Sequence, residues 1–458
     1  MNEKIVQKII QIVGKENILQ MPEDCYPYAF DLCKTNNADI PDLVVMPENA
    51  HQIAKILKIA NEEKIPVVPR GSATNQVGAC ITRQGSIVIS FAKMNKILEI
   101  NPKNLVAKVQ PGVVIGQLNK KLEEYGLFFA PDPSSLDVST IGGAIAQSAS
   151  GPHHIKYGGT KEHILDLQVA SADGQLFNTG ANVKKNVAGY DLTHLMIGSE
   201  GTLGVVCEAT LKLLPTPEKS CLILAFFEDL ESSAKAVTNL ISSKLRPSAI
   251  DLLDKYSIQV IENFSKLNVF EQTEACLIIE IDGTEKEIEE QSKNILKVLK
   301  TSNAKNTKWA DTQEDIEEIW FARRQGFSAL ARLNVDVLAE DIVVPVDRLA
   351  DMIKKIQEIA HKYSILIATF GHAGDGNLHP HFSVDLRDNS QKLKFKQAEK
   401  DMIEYVLSLG GSITGEHGIG FSKKPYLQDM TGAVAIYYMK KIKEIFDPNN
   451  ILNPEKIL

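Results

Sequence analysis

Residues 131–151 read PDPSSLDVSTIGGAIAQSASG, and this run of small residues decides how the first half of the chain is interpreted. The pair Gly142-Gly143 lets a flat or charged ligand approach the backbone closely, because neither residue has a Cβ. Two more glycine-bearing stretches lie on either side, PRGSATN at 69–75 and GSEGTLG at 198–204. Each alone is typical of an ordinary turn, but three in one unit fit a nucleotide cofactor that lies across several loops.

The sequence around these loops alternates between strand and helix patterns. An amphipathic pattern at 4–18 predicts an N-terminal helical segment, 1–37. Short apolar runs predict strands at 43–46, 65–69, 86–90 and 106–109, and helical periodicity predicts helices at 49–63 and 112–125. This alternation indicates an α/β unit over 38–217. No loop has the G-x-G-x-x-G or G-x-x-x-x-G-K-[ST] pattern, which disfavours a simple NAD dehydrogenase and a P-loop ATPase.

The second half, 218–458, has a different element order. Strands predicted at 221–227 and 276–281 are each followed by a helix, at 230–240 and 285–299, and a longer helical segment is predicted at 314–332. This order favours an α+β domain on a largely antiparallel sheet.

The sharpest polar signal is GHAGDGNLHPH at 371–381. Asp375-Gly376 is a hairpin-turn dipeptide, so the chain is expected to fold back there and bring His372 and His379 face to face. His381 lies two residues beyond His379 and therefore shares its strand face. A lone histidine is usually a hydrogen-bonded core or surface residue, but two glycine-rich loops hold four of the ten histidines.

The second polar signal is GEHGIG at 415–420. On a regular strand Glu416 and His417 would point to opposite faces, and the three glycines supply the freedom to depart from that geometry. His372, His379 and Glu416 together would make a three-ligand metal site with positions open for water or substrate. Zinc, iron, manganese and cobalt all suit this donor set.

A third candidate is Arg323, in the stretch IWFARR at 319–324. An arginine can hold a substrate carboxylate through two parallel charge-assisted hydrogen bonds. The ordinary alternative is an exposed helix arginine, and Arg324 fits that alternative better than Arg323 does.

Composition narrows the function classes. The 458 residues carry a net charge of −8, which disfavours a broad nucleic-acid surface. No apolar run reaches the ~18 residues of a transmembrane helix, and the N-terminus has no signal-peptide core. The six cysteines form no C-x-x-C pair, so we expect reduced thiols in a cytoplasmic protein, without a zinc knuckle or an iron–sulfur cluster.

Taken together, PRGSATN, PDPSS…TIGGAIAQSASG…KYGG and GSEGTLGVV resemble the FAD-binding domain of the vanillyl-alcohol oxidase/PCMH flavoprotein superfamily. GHAGDGNLH and GEHGIG resemble the C-terminal half of its D-lactate dehydrogenase, glycolate oxidase and D-2-hydroxyglutarate dehydrogenase branch. The resemblance implies an α+β fold. A PCMH-type two-part α/β FAD-binding domain would precede an α+β substrate domain with a largely antiparallel sheet and a helical C-terminal part.

The resemblance also assigns roles to individual residues. It implies a divalent metal at His372, His379 and Glu416, with His417 beside it as the catalytic base, and a substrate site at Arg323 and His381. It implies that FAD is bound by residues of the three glycine loops and their surroundings: Pro69, Arg70, Gly71, Ser72, Ala73, Thr74, Asn75, Pro131, Asp132, Ser135, Thr140, Gly143, Ser150, Gly151, Glu200, Gly204, Val205 and Val206.

The activity so implied is oxidation of a small D-2-hydroxyacid, D-lactate to pyruvate foremost, by hydride transfer to FAD while a divalent metal polarises the substrate. Electrons would leave to an external acceptor such as electron-transferring flavoprotein. Glycolate oxidase and D-2-hydroxyglutarate dehydrogenase are the alternatives. Relatives that oxidise dicarboxylic substrates carry a threonine and a lysine where this chain has Phe327 and Ala339, which favours a monocarboxylate.

Two other classes stay open on the residues alone. A metal-dependent hydrolase could use the same histidines and Glu416 without any redox role. A flavin-carrying module could serve assembly or electron relay without a substrate of its own.

Overall fold

A computed structural model gives the structure of residues 1–34, 38–332 and 336–458. The chain folds into two compact units, both discontinuous in sequence. The first contains Met1–Ser150, Gly158–Thr216 and Glu416–Leu458, and the second contains Gly151–Tyr157 and Pro217–Gly415. The predicted end of the N-terminal segment, residue 37, lies outside the described residues. The predicted limit between 217 and 218 stays a prediction.

Among its described residues, the first unit contains three sheets. Its strands, in chain order, are β1 (Ile18–Leu19), β2 (Leu43–Val45), β3 (Val67–Arg70), β4 (Ile87–Ser90), β5 (Ile97–Asn101), β6 (Val106–Val109), β7 (Leu127–Phe128), β8 (Ile164–Ala170), β9 (Leu176–Asn178), β10 (Val205–Lys212) and β11 (Leu214–Pro215). One sheet has the order β1-β2-β4-β3, a second has the order β5-β6-β10-β8-β9, and β7 pairs with β11.

The first sheet carries the predicted α/β alternation. β4 pairs in parallel with both β2 and β3, so β2 must reach β3 through a crossover, which the helix Ala50–Glu63 supplies. The Asn49 side chain caps this helix by accepting a hydrogen bond from the Gln52 amide, and Ile53 and Leu57 are fully buried on the face toward the sheet. The second sheet is antiparallel, so this unit has the two parts that the resemblance implies.

The described α-helices of the first unit run from 4 to 14 residues, and the one within the second glycine loop, Ile141–Gln147, has 7. The N-terminal helix ends at Val13, earlier than predicted, because Gly14 takes a φ of +86° that breaks the helical path. The helices are Glu3–Val13, Pro22–Cys25, Ala50–Glu63, Ile115–Leu122, Ile141–Gln147, Leu192–Met196, Lys424–Thr431 and Ala433–Phe446.

The second unit is built on an antiparallel sheet, as predicted. Its strands are β12 (Lys219–Phe227), β13 (Ala249–Asp254), β14 (Ala275–Gly283), β15 (Asn306–Ala310), β16 (Asp336–Ala339), β17 (Ile342–Val343), β18 (Leu366–Gly371) and β19 (Asn377–Val384). The order is β15-β12-β14-β13-β18-β19-β16, with β17 paired to β19. This order places β18 next to β13 and β19 next to β18, and these last two strands flank the turn of the histidine motif.

Helices pack against this sheet around a core that includes Phe226, Ile278 and Phe370. The helical segment predicted at 314–332 is two helices that meet at Gln325. The helices of the unit are His154–Tyr157, Leu230–Ser242, Lys255–Ser265, Glu285–Thr301, Gln313–Arg324, Gly326–Leu330, Leu349–Tyr363 and Asn389–Ser408. Over the part of the chain that the structure describes, no helix is both long and apolar enough to cross a membrane.

Candidate active site

A tight turn joins β18 to β19 in the second unit. Ala373–Asp375 forms a single 3₁₀ turn, and Gly376 adopts a φ of +74°. A Cβ on Gly376 would lie 2.0 Å from the carbonyl oxygen of Val344, so the position requires glycine. The two strands then pair antiparallel, and the fold-back predicted at Asp375-Gly376 is confirmed.

His372 and His379 flank this turn and face each other. Their ring centroids are 5.3 Å apart with the ring planes at 81°, and both side chains are buried. His372 Nδ1 lies 2.7 Å from Asp251 Oδ1, and His379 Nδ1 lies 3.6 Å from Asp341 Oδ1. A carboxylate beside one ring nitrogen is the usual second partner of a metal-binding imidazole. The donor set of this hairpin therefore fits a divalent metal.

Asp251, on β13, joins the histidine hairpin to the predicted substrate arginine. Arg323 Nε donates to Asp251 Oδ2 at 2.6 Å, while His372 lies at the other carboxylate oxygen. Asp251 is fully buried, and Arg323 is only 6% exposed, so the alternative of an exposed helix arginine is wrong for this residue. Burial by itself would raise the pKa of Asp251, but the charges of Arg323 and then His372 outweigh it and lower that pKa.

Sequence reasoning missed Asp251. The residue lies within AIDLLD at 249–254, and a carboxylate flanked by apolar residues inside a strand is the signal that could have found it. A buried acid needs a polar or charged partner, so such a residue indicates a polar site without naming the partner. That partner, His372, is 121 positions further along the chain.

His381 is enclosed by aromatic side chains. Its Nδ1 lies 2.6 Å from the backbone oxygen of His379, and its ring stacks on Phe370 at 4.2 Å. The ring centroids of Phe327 and His381 are 6.0 Å apart in an edge-to-face arrangement. Ala339 is paired with His381 in the register of β16 with β19. Phe327 and Ala339, the two departures noted in the sequence, therefore both adjoin His381.

Asp341 fixes the chain segment that leads to the GEHGIG motif. Its carboxylate is fully buried and accepts hydrogen bonds from Asn377 Nδ2 at 2.8 Å, Thr414 Oγ1 at 2.7 Å and the Gly415 amide at 2.8 Å. Sequence reasoning assigned no role to Asp341 or Asn377. Their effect is to hold the end of the second unit's chain at Gly415 beside β19.

Glu416 and His417 follow Gly415 and open the last segment of the first unit. Gly418 has a φ of +85° and Gly420 a φ of +51°, both in the left-handed region that favours glycine. The irregular backbone predicted for this motif is confirmed. The metal and base roles of Glu416 and His417 stay predictions.

The first two glycine loops meet in the first unit. A Cβ on Gly71 would lie 2.3 Å from Thr140 Oγ1, so glycine at this position leaves room for the Thr140 side chain. Ser72 Oγ donates to the Val138 carbonyl at 2.5 Å, and the Thr74 and Ser139 hydroxyls are 3.1 Å apart.

The third glycine loop meets the first. A Cβ on Gly201 would lie 2.4 Å from Pro69 Cγ, and the amides of Gly198 and Glu200 donate to the carbonyls of Ile145 and Ala146. The three loops therefore lie against one another, with glycines at their closest approaches. This arrangement fits a flat nucleotide cofactor that binds against backbone.

Arg70 has a different environment from the rest of its loop. Its Nη1 donates to the carbonyl of Phe30 at 2.6 Å and of Tyr28 at 3.4 Å, and its Nη2 donates to the carbonyl of Pro27 at 3.1 Å. In this structure the guanidinium ties the loop to the N-terminal segment, and its predicted contact with FAD stays a prediction.

The remaining residues predicted to bind FAD differ in burial. Thr140 is buried and accepts a hydrogen bond from the Gly143 amide at 3.2 Å. The buried ones, besides Thr140, are Pro131, Gly151, Glu200, Gly204 and Val205. The partly exposed ones are Pro69, Gly71, Ala73, Thr74, Asn75, Asp132, Ser135, Gly143, Ser150 and Val206. Asn75 Oδ1 accepts from the amides of Val77 and Ala79, so it shapes its own loop.

Comparison with known sequences gives two family matches. Residues 41–180 match the FAD binding domain, and residues 216–457 match the C-terminal domain of FAD linked oxidases. The glycolate oxidase subunit GlcD of Bacillus subtilis is 41% identical over 99% of this chain and 96% of its own length. The D-lactate dehydrogenase of Archaeoglobus fulgidus is 34% identical over 91% of both chains.

Solved structures of low sequence identity share this fold. A p-cresol methylhydroxylase with substrate bound has a TM-score of 0.84 at 17% identity, over 99% of this chain and 96% of its own. An alkyldihydroxyacetonephosphate synthase has a TM-score of 0.78 at 19% identity, over 100% of this chain and 86% of its own. At these identities the likeness concerns the fold.

Proposed function

The chain belongs to the family of FAD-linked oxidases, and from that premise we propose that it oxidises a small D-2-hydroxyacid, D-lactate foremost, to the 2-oxoacid. The single observation that supports this most is the buried assembly of Arg323, Asp251 and His372 beside His379. This assembly combines an arginine that can bind the substrate carboxylate with imidazoles that can bind a metal. Both functions are needed for oxidation of a 2-hydroxyacid by the proposed route.

Arg323 holds the substrate carboxylate. An arginine has five N–H donors in a planar fork, so the guanidinium can bind a second carboxylate beside Asp251. Asp251 and the ring of Phe370, 4.4 Å below the guanidinium, fix its orientation. A fixed guanidinium orients the α-carbon of the substrate, which is the main contribution of such groups to rate.

His417 accepts the proton of the substrate hydroxyl. A positioned imidazole acting as a general base typically contributes ~10²–10⁴-fold to a rate. FAD supplies the acceptor for the α-hydrogen and its electron pair. His372, His379 and Glu416 would hold a divalent metal (zinc, iron or manganese) that makes the hydroxyl more acidic.

The surroundings of His381 support a monocarboxylate substrate. Phe327 and Ala339 are apolar, and neither can hydrogen-bond a second carboxylate. The double variant Phe327→Thr, Ala339→Lys should raise kcat/KM for D-2-hydroxyglutarate relative to D-lactate.

Glycolate is the second candidate substrate, supported by the 41% identity to a glycolate oxidase subunit. It differs from D-lactate by one methyl group. A hydrophobic pocket discriminates such a difference by only ~1–3 kcal/mol, so oxidation of both is expected, at different rates.

Anaerobic titration of the purified holoprotein tests the proposal. D-lactate, L-lactate, glycolate and D-2-hydroxyglutarate are added in turn while the flavin absorbance is followed. We expect bleaching by D-lactate and glycolate and none by L-lactate. A flavin that no 2-hydroxyacid bleaches would overturn the proposal, and a colourless protein would favour a hydrolase.

The role of His417 is tested separately. His417→Ala should keep bound FAD yet lose nearly all reduction by D-lactate. The matched control is His361→Ala, because His361 is exposed on the helix Leu349–Tyr363. Full-rate bleaching of the flavin in the His417 variant would remove this residue from the mechanism.

Metal analysis tests the proposed ligands. Purified wild type should contain about one divalent metal per chain, while His372→Gln and His379→Gln should lose it. His361→Gln is again the control. Unchanged metal content in both hairpin variants would refute the assignment.

We further propose that the electrons pass to an external protein acceptor, with electron-transferring flavoprotein as the first candidate, in the cytoplasm. The six cysteines contain no C-x-x-C pair that would indicate an internal cluster. D-lactate should drive reduction of added electron-transferring flavoprotein. The absence of any electron flow between the two would refute this acceptor.

A further inference from the structure

We infer that Glu200 is a positioning residue for His417: its carboxylate fastens the loop that carries the base. This inference rests on the proposed function, because it concerns the rate of substrate oxidation. The resemblance counts Glu200 among the FAD-binding residues. Its side-chain hydrogen bonds, however, run to backbone amides just beyond His417.

The carboxylate of Glu200 grips the loop with both oxygens. Oε1 accepts from the Ile419 amide at 2.7 Å and the Gly420 amide at 3.0 Å, and Oε2 accepts from the Gly420 amide at 2.9 Å. The side chain is 3% exposed, so water competes little for these bonds. Because water is largely excluded here, removal of one of these acceptors would leave a buried amide without its hydrogen bond, which is costly.

The backbone of Glu200 is itself fixed. Its amide donates to the Ala146 carbonyl at 2.9 Å, and its carbonyl accepts from Asn453 Nδ2 at 2.7 Å. Its φ of +51° lies in the left-handed region, which an ordinary residue occupies at a cost. Hydrogen bonds on both sides of Glu200 therefore fix its backbone in this conformation.

The loop has little freedom to settle elsewhere. A Cβ on Gly418 would lie 2.1 Å from Gln147 Oε1, and a Cβ on Gly420 would lie 2.3 Å from the Val77 carbonyl. That carbonyl also accepts from the amides of Phe421 and Ser422. The loop is thus held between Val77 on one side and Glu200 on the other, directly after His417.

The loop matters for the reaction because it sets the distance between His417 and the substrate hydroxyl. A general base must lie within hydrogen-bond reach of the proton that it accepts, and a misplacement of about 1 Å costs roughly 10²-fold in rate. Glu200→Gln keeps the size of the side chain but replaces one acceptor oxygen by an NH₂ group, so the Gly420 amide loses one of its two acceptors and faces a second donor.

The test uses Glu200→Gln holoprotein, with Glu208→Gln as the matched control. Glu208 lies on β10 of the same unit and pairs with Lys108 at the surface. We expect the rate constant of flavin reduction by D-lactate to fall about 100-fold in the Glu200 variant, with KM and FAD affinity unchanged. The control should match wild type. A loss of FAD affinity in place of rate would overturn the inference in favour of a cofactor contact.

Hydrogen exchange on the oxidised protein without substrate gives a second readout. The amides of Ile419 and Gly420 should exchange about tenfold faster in the Glu200 variant, the effect of losing about one hydrogen bond. Unchanged protection would overturn the inference even if D-lactate proves to be the wrong substrate. If no 2-hydroxyacid reduces the wild-type flavin while protection of these amides still falls in the Glu200 variant, only the proposed function is refuted. Glu200→Asp, which is one methylene too short to reach both amides, serves if the glutamine variant does not fold.

Discussion

Glu200 in the first unit and Asp251 in the second are both buried carboxylates, yet their pKa values shift in opposite directions. Burial raises the pKa of Glu200 to about 7, and its hydrogen bonds from the amides of Gly420 and Ile419 offset burial only in part. Lys456 lowers that pKa a little and Asp31 raises it. The pKa of Asp251 is lowered, because the charges of Arg323 and His372 outweigh its burial.

The difference shows what each kind of partner does to a buried acid. Backbone dipoles hold a carboxylate in place but do not fully replace the water that it lost, whereas charged side chains do. Asp251 is therefore suited to organise a cationic site, and Glu200 is suited to fasten a loop.

Removing the charge of Asp251 should have the largest effect. Asp251→Asn leaves Arg323 buried without its counter-charge, which costs ~3–5 kcal/mol in comparable buried pairs. The urea midpoint should fall, and D-lactate oxidation should be lost. Both tryptophans, Trp309 and Trp320, lie in the second unit, so tryptophan fluorescence reports its unfolding.

The control for this variant is Asp385→Asn. Asp385 pairs with Arg387 at the surface, and the unfolding midpoint should stay where it is in wild type. Equal effects of the two substitutions would show that burial of Asp251 does not set the strength of its interactions.

The raised pKa of Glu200 should appear as a pH-dependent stability. The unfolded chain loses this proton near pH ~4.3, while the folded protein keeps it up to about pH 7. Stability from Glu200 is therefore complete at low pH and is lost as the pH rises through this window, by at most roughly 4 kcal/mol. The difference in stability between wild type and Glu200→Gln should shrink accordingly, measured by urea-induced flavin release. A difference that does not vary with pH would contradict the raised pKa.

Asp254 tests whether the direction of a pKa shift depends on the kind of hydrogen-bond partner or on the unit in which the acid lies. It lies in the second unit, three residues after Asp251, and accepts hydrogen bonds from the amides of Ser257 and Thr369 and from the Ser257 hydroxyl. Burial raises its pKa to about 6 against these hydrogen bonds. Asp254→Asn should thus resemble the Glu200 variant. The stability that Asp254 contributes to wild type should fall by at most roughly 3 kcal/mol as the pH rises from ~3.9 to 6, and the asparagine variant should lack this change. Urea unfolding followed by tryptophan fluorescence measures this stability at each pH. A pH slope of opposite sign would show that the direction of the pKa shift depends on the unit.

Much of the fold could be predicted because its signals are local. The strands and the helix Ala50–Glu63 of the first sheet follow the apolar periodicity of their own residues. The hairpin at Asp375-Gly376 follows from a turn that only glycine can complete. For the same reason the facing of His372 and His379 was predictable, since both lie within a few residues of that turn.

The partners of the site were not predictable. Asp251 meets His372 across 121 positions, and Asp341 meets Gly415 across 74. Nothing local in the strand Ala249–Asp254 says which of its acids faces the histidine hairpin and which caps the next helix. That assignment depends on the register of β13 against its neighbours.

The sequence alone determined where this backbone must bend and which side chains carry chemistry, because glycine positions and residue types act through their immediate neighbours. Only the tertiary structure decided which buried carboxylate meets a cation and which meets backbone amides. The reason is that desolvation and charge pairing depend on distances between residues far apart in sequence, and the same carboxyl group keeps or loses its proton according to those distances.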